Sequence, residues 1–219
     1  MNKILLPELE TSRLLLKKIS LGDIDDIFEY AVNPLVGPNA GWKPHDNKTE
    51  TEEFVKYAIK KRDYGQPGVY AIHHKLHKKM IGTIEIHSFK EYKAEIGFVL
   101  NPAYWNKGFI TEAAKAVIIY AFEILNIHRL SYGYFIFNER SKRVNDKLEF
   151  KHEGILRNKF KNFDGKIIDE AVSSITKEDY SDKVEKVLAD YRKNAAISGF
   201  RKGAVPMSLI QKQYGKAVL

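Results

Sequence analysis

One loop in this sequence combines residue types that bind anions, and it lies in the segment EIGFVLNPAYWNKGFITEAAKAVIIYAF, residues 95–122. The segment begins with the alternation of a strand and ends with the apolar spacing of a helix. Lys107, Gly108 and Thr111 stand where that helix begins. The first turn of a helix has backbone N–H groups without intrahelical partners, and these groups suit a phosphate or pyrophosphate. Gly108 lets a ligand approach the backbone, Lys107 adds charge, and Thr111 offers a hydroxyl donor.

The loop alone leaves a second interpretation open, in which Gly108 only eases an ordinary strand-to-helix connection. The chain has neither the GxxxxGK[ST] pattern of a Walker loop nor the GxGxxG pattern of a dinucleotide-binding turn. It also has no cysteine, no GxSxG serine and no HExxH pair among its seven histidines. These absences disfavour a covalent acyl-enzyme and predict no metal site.

The periodicity of the chain predicts a mixed α/β domain. Alternating or apolar runs predict strands over 13–19, 68–74, 79–87, 93–100, 128–136, 151–161 and 166–176. Helical spacing and end signals predict helices after Ser20, over Lys48–Gly65, over Phe109–Leu125 and within 138–150, with a Gly/Pro loop over Val36–Asp46. This order predicts a central sheet covered by helices.

Composition narrows the class of protein further. The chain has 219 residues, of which 44% are hydrophobic, enough for one ordinary core. The absence of cysteine, of a visible signal peptide and of a long apolar run predicts a cytoplasmic protein without a membrane partner. The net charge is +8, but the segment Ser181–Leu219 alone carries eight Lys or Arg against three Asp or Glu. Positive and negative charges are therefore nearly balanced in residues 1–180, which argues against a nucleic-acid-binding surface on that part of the chain.

Four separated segments together resemble one known family. They are ETSRLLLKKI at 10–19, AEIGFVLNPAYWNKGFITEAAKAVIIYAFE at 94–123, NERSKRVNDKLEFKHEGILRN at 138–158, and FDGKIIDEAVSSITKEDY at 163–180. They look like the Gcn5-related N-acetyltransferase (GNAT) family, and within it the RimJ/RimL-like branch, from about Glu10 to Tyr180. The resemblance implies an α/β acyl-CoA N-acyltransferase fold, with a mixed central sheet flanked by helices.

The resemblance also implies acetyl-CoA as co-substrate and a role for each loop residue. In that family the loop pattern Q/R-x-x-G-x-G/A binds the pyrophosphate, and here it reads Trp105-Asn106-Lys107-Gly108-Phe109-Ile110, so only the central glycine matches strictly. The backbone of Phe98, Val99 and Leu100 is expected to bond the pantetheine arm. The N–H groups of Asn106 to Thr111 are expected to bind the pyrophosphate. Asn138 is expected to bond the cofactor, and Ser141 to lie near its sulfur.

Acetyl transfer to an amine needs a base for the amine proton, a donor for the oxyanion and an acid for the departing thiolate. Glu95 is the first candidate for the base, because it opens the strand that leads to the loop, and Glu85 is the second. His87 and a water chain are alternatives, and both carboxylates are equally consistent with exposed strand residues. A backbone N–H near Val99 is expected to hold the oxyanion. Ser141 is the proposed acid, although a helix-surface serine would look the same.

The acceptor side is less sharply defined by the sequence. In the family that the chain resembles, the segment between the first two helices shapes the acceptor site, so Trp42 and His45 are expected there with His87. A packed surface aromatic is an equally good interpretation of Trp42.

The C-terminal segment does not continue the acetyltransferase pattern. Residues from about 178 to 219 resemble the ribosome-binding segment of trigger factor, in which a GFRxGxxP tip joins two helices, and the matching stretch here is GFRKGAVP at 199–206. The resemblance implies a basic helical hairpin and a ribosome contact through 199–206. A fusion accident without function is the competing interpretation.

These observations predict an acetyltransferase domain over 1–180 and a basic helical tail over 181–219. The predicted enzyme moves an acetyl group from acetyl-CoA to a primary amine by direct attack. A protein N-terminal α-amine is the leading acceptor, as in the RimJ/RimL branch, and a small-molecule amine is the second. The alternative is a ribosome-associated binding module with a non-catalytic body. The sequence is also compatible with a homodimer, in which a second copy of the chain is the partner.

Overall fold

The computed structural model describes residues 6–61, 64, 66–194, 200–201, 204–206 and 208–210. The chain divides into two compact units, Met1–Ile175 and Thr176–Leu219. Within the described residues, the helices are too short or too polar to cross a bilayer.

One sheet organises the first unit. In the described part of the chain it has eight strands in the order β1-β2-β3-β4-β5-β6-β8-β7. Neighbours up to β5 pair antiparallel, as do β7 and β8, whereas β5 and β6 run parallel. The strands are β1 Leu9–Glu10, β2 Leu14–Lys18, β3 Gly68–His74, β4 Lys79–Lys90, β5 Lys93–Leu100, β6 Arg129–Phe135, β7 Lys151–Lys161 and β8 Ile167–Thr176.

Helices cover the sheet, as the sequence predicts. They are α1 Ile24–Ala31, α2 Gly37–Ala40, α3 Lys48–Lys61, α4 Phe109–Ile119 and α5 Glu139–Leu148, with α6 Lys177–Asn194 in the second unit. Ile27 and Ala31 of α1 share a core cluster with Val55 and Ala58 of α3 and with residues of β3. Helix α4 packs against β2, β4 and α5. The predicted mixed sheet flanked by helices is therefore confirmed.

Local differences from the sequence prediction have clear causes. The predicted loop over Val36–Asp46 contains the helical turn α2, which has a proline in its first turn and is closed by Gly41 at φ 89°. The helix predicted over Phe109–Leu125 is α-helical to Ile119 and continues as a π-helical turn, Tyr120–Ile124. The predicted end of α3 at Gly65 lies outside the described residues.

The parallel strands β5 and β6 separate soon after they meet. Their register pairs Lys93 with Arg129, Ala94 with Leu130 and Glu95 with Ser131. Beyond Glu95 both strands continue, β5 to Leu100 and β6 to Phe135. The edge of β5 from Ile96 onward thus faces a gap, because its other edge already pairs with β4.

The second unit begins with a capped helix. Thr176 Oγ1 accepts a hydrogen bond from the backbone N–H of Asp179 at 3.2 Å, and the Asp179 carboxylate accepts one from the backbone N–H of Thr176 at 3.1 Å. This reciprocal pair is a capping box that starts α6. Within the same unit, Arg192 Nε donates to the carbonyl of Val205 at 2.8 Å. A C-terminal helical extension is therefore present, while most of the short helical run predicted after the tip, namely 207 and 211–219, lies outside the described residues.

One residue in the first unit adopts a strained backbone conformation. Glu149 closes α5 with φ 62°, in the left-handed region. That conformation costs about 1–2 kcal/mol for a residue with a Cβ, whereas glycine adopts it freely. We expect Glu149→Gly to raise the free energy of unfolding by about 1 kcal/mol, because the strain relieved exceeds the entropy added to the unfolded chain. Urea denaturation measures this change.

Lys142→Gly is the matched control, because Lys142 is an exposed residue inside the same helix. It should lower the free energy of unfolding by about 1 kcal/mol. If both glycine variants were destabilised equally, the left-handed strain at Glu149 would not contribute to stability.

Candidate functional site

A cavity of about 650 Å³ opens where β5 and β6 separate. It extends from the start of α4 along the edge of β5. Its other end is lined by the carboxylates of Glu85, Glu95 and Glu170 and by the rings of Trp42 and His45. The structure brings together sixteen of the seventeen residues that the sequence singles out. They are Trp42, His45, Glu85, His87, Glu95, Phe98, Val99, Leu100, Trp105, Asn106, Gly108, Phe109, Ile110, Thr111, Asn138 and Ser141.

Lys107 is the predicted site residue that the cavity lining does not include. Its ammonium donates to the carbonyl of Ala103 at 2.8 Å and lies 5.5 Å from the centre of the Tyr104 ring. Its side chain therefore helps to hold the loop together.

The loop before α4 has a backbone shaped to bind an anion. Asn106 and Gly108 both adopt positive φ angles, 60° and 78°, and α4 starts at Phe109. Alternation of left-handed and right-handed residues turns successive N–H groups toward one side and forms a concave anion site. The helix dipole adds to this field at the same place.

Arg13 and Glu112 hold this loop from the side of β2. Arg13 donates from Nη1 to the carbonyl of Lys107 at 3.0 Å and from Nε to Glu112 at 2.6 Å. Glu112 also accepts from the hydroxyls of Thr11 and Ser12 and from the backbone N–H of Arg13. Burial opposes ionisation of Glu112, but these hydrogen bonds outweigh it and lower the pKa of the carboxyl.

Trp105 fills the position where the family pattern has Gln or Arg, and it has two contacts of its own. Its indole N–H donates to the carbonyl of Leu100 at 2.8 Å, which fixes the loop against the end of β5. The guanidinium of Arg140 lies 4.3 Å from the centre of the indole ring. The tryptophan thus anchors the loop and stacks under a cation at this position.

Asn138 and Ser141 lie at the start of α5 beside the cavity. The side chain of Asn138 is buried, accepts from the backbone N–H of Ser141 at 3.1 Å and donates to the carbonyl of Asn39 at 3.1 Å. It therefore caps α5 and ties that helix to α2. The Ser141 hydroxyl makes no hydrogen bond with the residues that the structure describes.

The two predicted carboxylates have different partners. Glu85 accepts from the ammonium of Lys61 at 2.8 Å, and both side chains are largely shielded from solvent. Glu95 lies opposite His87 in the β4–β5 register, with its carboxylate 3.9 Å from Nδ1 of His87. The structure thus gives Glu85 an ion pair with an ammonium, while Glu95 has an imidazole as its neighbour within 4.0 Å.

A third carboxylate, which the sequence did not single out, belongs to the same group. A Cβ placed on Gly133 of β6 would lie 2.8 Å from Oε1 of Glu170 and 3.4 Å from Oε1 of Glu95. The two carboxylates therefore approach each other across a strand position that has no side chain. Burial first, and then the charge of Glu95, raise the pKa of Glu170, whereas Lys159 and His87 act in the opposite direction.

Trp42 and His45 form the far wall of the cavity. Their ring centres are 5.1 Å apart, and Gly37 packs so closely under Trp42 that a Cβ there would lie 2.6 Å from its carbonyl oxygen. Nδ1 of His45 lies 2.7 Å from the hydroxyl of the buried Thr51. Burial lowers the pKa of His45, so the imidazole is held neutral at physiological pH.

The structure adds cationic residues to the cavity. Arg140, Arg143 and Lys147 of α5 line it, although none of them was predicted. The sequence does indicate this cluster, because residues 140, 143 and 147 are spaced so that they lie on one face of a helix. Within the described residues, no group of three or more acidic or histidine side chains is arranged to hold a metal ion.

Comparison with known proteins identifies the family. The model of the acetyltransferase (GNAT) domain matches residues 13–151. N-acetyltransferase YoaA of Bacillus subtilis is 31% identical over 153 residues, which are 69% of this chain and 86% of that protein. The crystal structure of a GNAT-family acetyltransferase from Bacillus anthracis, 26% identical, superposes with a TM-score of 0.70 over 78% of this chain and 99% of that one.

The chain belongs to the GNAT family, whose members bind acetyl-CoA, and it is an acetyl-CoA-dependent N-acetyltransferase. The predicted GNAT-like fold is confirmed. Two similar proteins have named acceptors. Spermidine N(1)-acetyltransferase of Escherichia coli is 35% identical over 68 residues, 31% of this chain and 37% of that protein. An acetyltransferase structure from Salmonella typhimurium, whose title says it modifies the N-terminal serine of a ribosomal protein, is 15% identical with a TM-score of 0.69 over 78% of this chain and 99% of that one.

The C-terminal segment has a separate similarity. The model of the bacterial trigger factor protein matches residues 167–219. Trigger factor of Citrifermentans bemidjiense is 64% identical over 36 residues, which are 16% of this chain and 8% of that protein. These matches support the resemblance to trigger factor for this segment.

The raised pKa of Glu170 predicts a stability effect. A carboxyl whose folded-state pKa lies above its unfolded value of 4.5 destabilises the fold increasingly as the pH rises above 4.5, and fully once the pH exceeds the folded-state pKa. We expect Glu170→Gln to raise the melting temperature near pH 7, and we expect the difference to disappear below about pH 4.5. Calorimetric melting across this pH range measures the effect.

Glu91→Gln is the control, because Glu91 is an exposed carboxylate in the β4–β5 turn. It should leave the melting temperature nearly unchanged. A lower melting temperature for Glu170→Gln at pH 7 would mean that the ionised carboxylate stabilises the fold, contrary to the expectation.

Proposed function

We propose that this enzyme transfers the acetyl group of acetyl-CoA directly to a primary amine inside the cavity between β5 and β6. One observation carries the proposal: a single cavity joins an anion-binding helix start, an unpaired strand edge and a carboxylate group. Each feature matches one need of the reaction, namely binding of phosphates, alignment of an extended arm and removal of a proton.

The residues present fit acetyl-CoA. The backbone of Phe98, Val99 and Leu100 lies on the β5 edge beyond the last pair with β6, so an extended arm with amide groups completes the hydrogen bonding of that edge. The backbone N–H groups of Asn106 to Thr111 receive the pyrophosphate. When bound there, acetyl-CoA supplies an activated acetyl thioester to the reaction.

Glu95 is the proposed base. It lies in the cavity at the point where β5 and β6 separate, and its carboxylate is 3.9 Å from Nδ1 of the His87 imidazole. Glu85 is engaged in an ion pair with the Lys61 ammonium at 2.8 Å, so its carboxylate is less available to an incoming amine. Glu170 lies beside Glu95, and burial followed by the charge of Glu95 raises the pKa of the Glu170 carboxyl.

Two further groups complete the proposed chemistry. The backbone N–H near Val99 stabilises the negative charge that develops on the acetyl oxygen as the amine nitrogen attacks the carbonyl carbon. As the carbon–sulfur bond breaks, the Ser141 hydroxyl donates a proton to the departing thiolate. Glu95 takes the first proton of the ammonium before the attack. The second proton, which the nitrogen loses as the tetrahedral intermediate collapses, passes to Ser141 and restores its hydroxyl.

The proposed acceptor is an amine that carries positive charge before it reacts. Glu95 and Glu170 make the acceptor end of the cavity acidic, which favours a cation, whereas Glu85 is paired with Lys61. A protein N-terminal α-amine, as in the RimJ/RimL branch, is the first class, and a small-molecule amine is the second. Trp42, His45 and His87 are proposed to contact the acceptor, since all three line this end.

Calorimetric titration with acetyl-CoA followed by an amine screen tests the proposal. We expect micromolar binding, loss of binding in Gly108→Trp, and acetylation of an N-terminal peptide or of a small amine. We expect Glu95→Gln to lower kcat by about 10²–10⁴-fold because the amine proton loses its acceptor, with the Kd for acetyl-CoA unchanged.

Glu91→Gln serves as the control for charge, and Glu85→Gln compares the two candidate bases. Circular dichroism melting of each variant separates misfolding from loss of function. A wild-type protein that does not bind acetyl-CoA contradicts the proposed function. Normal turnover by Glu95→Gln would contradict only the assignment of the base.

We propose a second role for the tail, on the strength of its 64% identity to trigger factor over 36 residues. In this proposal, residues 1–180 form the acetyltransferase domain and 181–219 a ribosome-contacting tail, with 199–206 as its tip. Phe200 and Arg201 are exposed, as such a contact requires. Gly199, Lys202 and Gly203 of the tip lie outside the described residues.

Co-sedimentation with ribosomes tests the tail. We expect the full chain to co-sediment at low salt, and we expect Arg201→Glu to abolish this because the cation meets phosphate or an acidic protein surface. Lys78→Glu, in the exposed β3–β4 turn, is the matched control and should still co-sediment. Absence of co-sedimentation in the wild type would contradict the role of the tail and leave the acetyltransferase proposal unaffected.

A further inference from the structure

Three cations form a line along one face of α5. Arg140, Arg143 and Lys147 are spaced by three and four residues, so their side chains follow one another on the helix surface. All three line the cavity, and Arg140 lies beside the loop, over the Trp105 ring. Lys142 of the same helix is exposed but does not line the cavity, so the line is a feature of one face.

The described residues leave most of this positive charge without an acidic partner. Arg143 and Lys147 form no ion pair within 4.0 Å in the part of the chain that the structure describes, and Arg140 rests on the Trp105 ring. The other cations around the loop have partners, since Arg13 forms an ion pair with Glu112 and Lys107 donates a hydrogen bond to the carbonyl of Ala103. Like charges at this spacing repel one another, so an anion placed among them is stabilised.

The length of the line separates it from the loop before α4. Arg140 stands at the loop, in contact with Trp105. An α-helix rises 1.5 Å per residue, so Lys147 lies about 10 Å further along the axis. The loop with positive φ angles and the dipole of α4 suit one anionic group. Arg143 and Lys147, further along α5, are placed for a second one.

We propose that Arg143 and Lys147, continued toward the loop by Arg140, bind the 3′-phosphate of coenzyme A. This inference rests on the proposed function, which places acetyl-CoA in this cavity. Of the anionic groups of that molecule, the pyrophosphate occupies the loop, and the 3′-phosphate is the dianion that remains. A guanidinium offers paired N–H donors to phosphate oxygens, and an ammonium adds a point charge.

The consequence is selectivity for the phosphorylated nucleotide. Charge-assisted hydrogen bonds to a phosphate are about twice as strong as neutral ones, although exposure to water weakens them here. We expect wild-type protein to bind acetyl-CoA about tenfold more tightly than 3′-dephospho-acetyl-CoA. Arg143→Ala and Lys147→Ala together should remove most of that difference, because they weaken acetyl-CoA and hardly affect the dephospho form.

Isothermal titration calorimetry with both nucleotides measures the ratio of the two Kd values. Lys142→Ala is the control, since it removes one positive charge from the same helix outside the cavity, and each single variant, Arg143→Ala and Lys147→Ala, is compared with it; Lys142→Ala should keep the wild-type ratio. Thermal melting checks that every variant is folded. The ratio is a binding quantity and needs no knowledge of the acceptor.

The outcomes separate this inference from the proposed function. Loss of the ratio in the double variant and its retention in Lys142→Ala support the inference. Equal binding of the two nucleotides by the wild type, or an equal loss of affinity for both in the double variant, overturns the inference and leaves the proposed function standing. Failure of the wild type to bind either nucleotide overturns both.

Discussion

The incomplete pairing of β5 with β6 is the constraint on which the rest of the site depends. The strands run parallel to the pair Glu95–Ser131 and then diverge, so backbone donors and acceptors of β5 face a gap. Such groups require partners, and in this family acetyl-CoA is available to provide them. The same divergence admits a ligand to the middle of the sheet and brings Gly133 between two carboxylates.

The loop that starts α4 is held in place by contacts from distant parts of the chain. Arg13 and Glu112 join β2 to the first turn of α4, and the Trp105 indole joins the loop to the end of β5. These bonds fix a backbone that contains left-handed residues, so the loop holds the conformation that we propose for anion binding through contacts of its own. Preorganisation of this kind reduces the ordering that binding would otherwise require.

Sequence patterns predicted the elements well, because alternation and helical spacing are local properties. The strands at 68–74 and 93–100 have the predicted bounds, and the short helix Gly37–Ala40 was missed because Gly and Pro are also typical of loops. Glu170 was not foreseen, since its approach to Glu95 depends on the strand order β5-β6-β8. The hydrogen bond from the Lys107 ammonium to the carbonyl of Ala103 was also not foreseen, because a sequence does not show which carbonyl a lysine will reach.

Gly133 gives this site an unusual kind of sensitivity. It lies within a strand, where glycine is unfavourable and no turn calls for it. A single methyl group at this position would meet the carboxylate of Glu170 at 2.8 Å and displace it from Glu95. The absence of a side chain at Gly133 thus sets the distance between the two carboxylates. Substitution by alanine adds no charge, yet it would disturb the electrostatics of the cavity as a change of charge does.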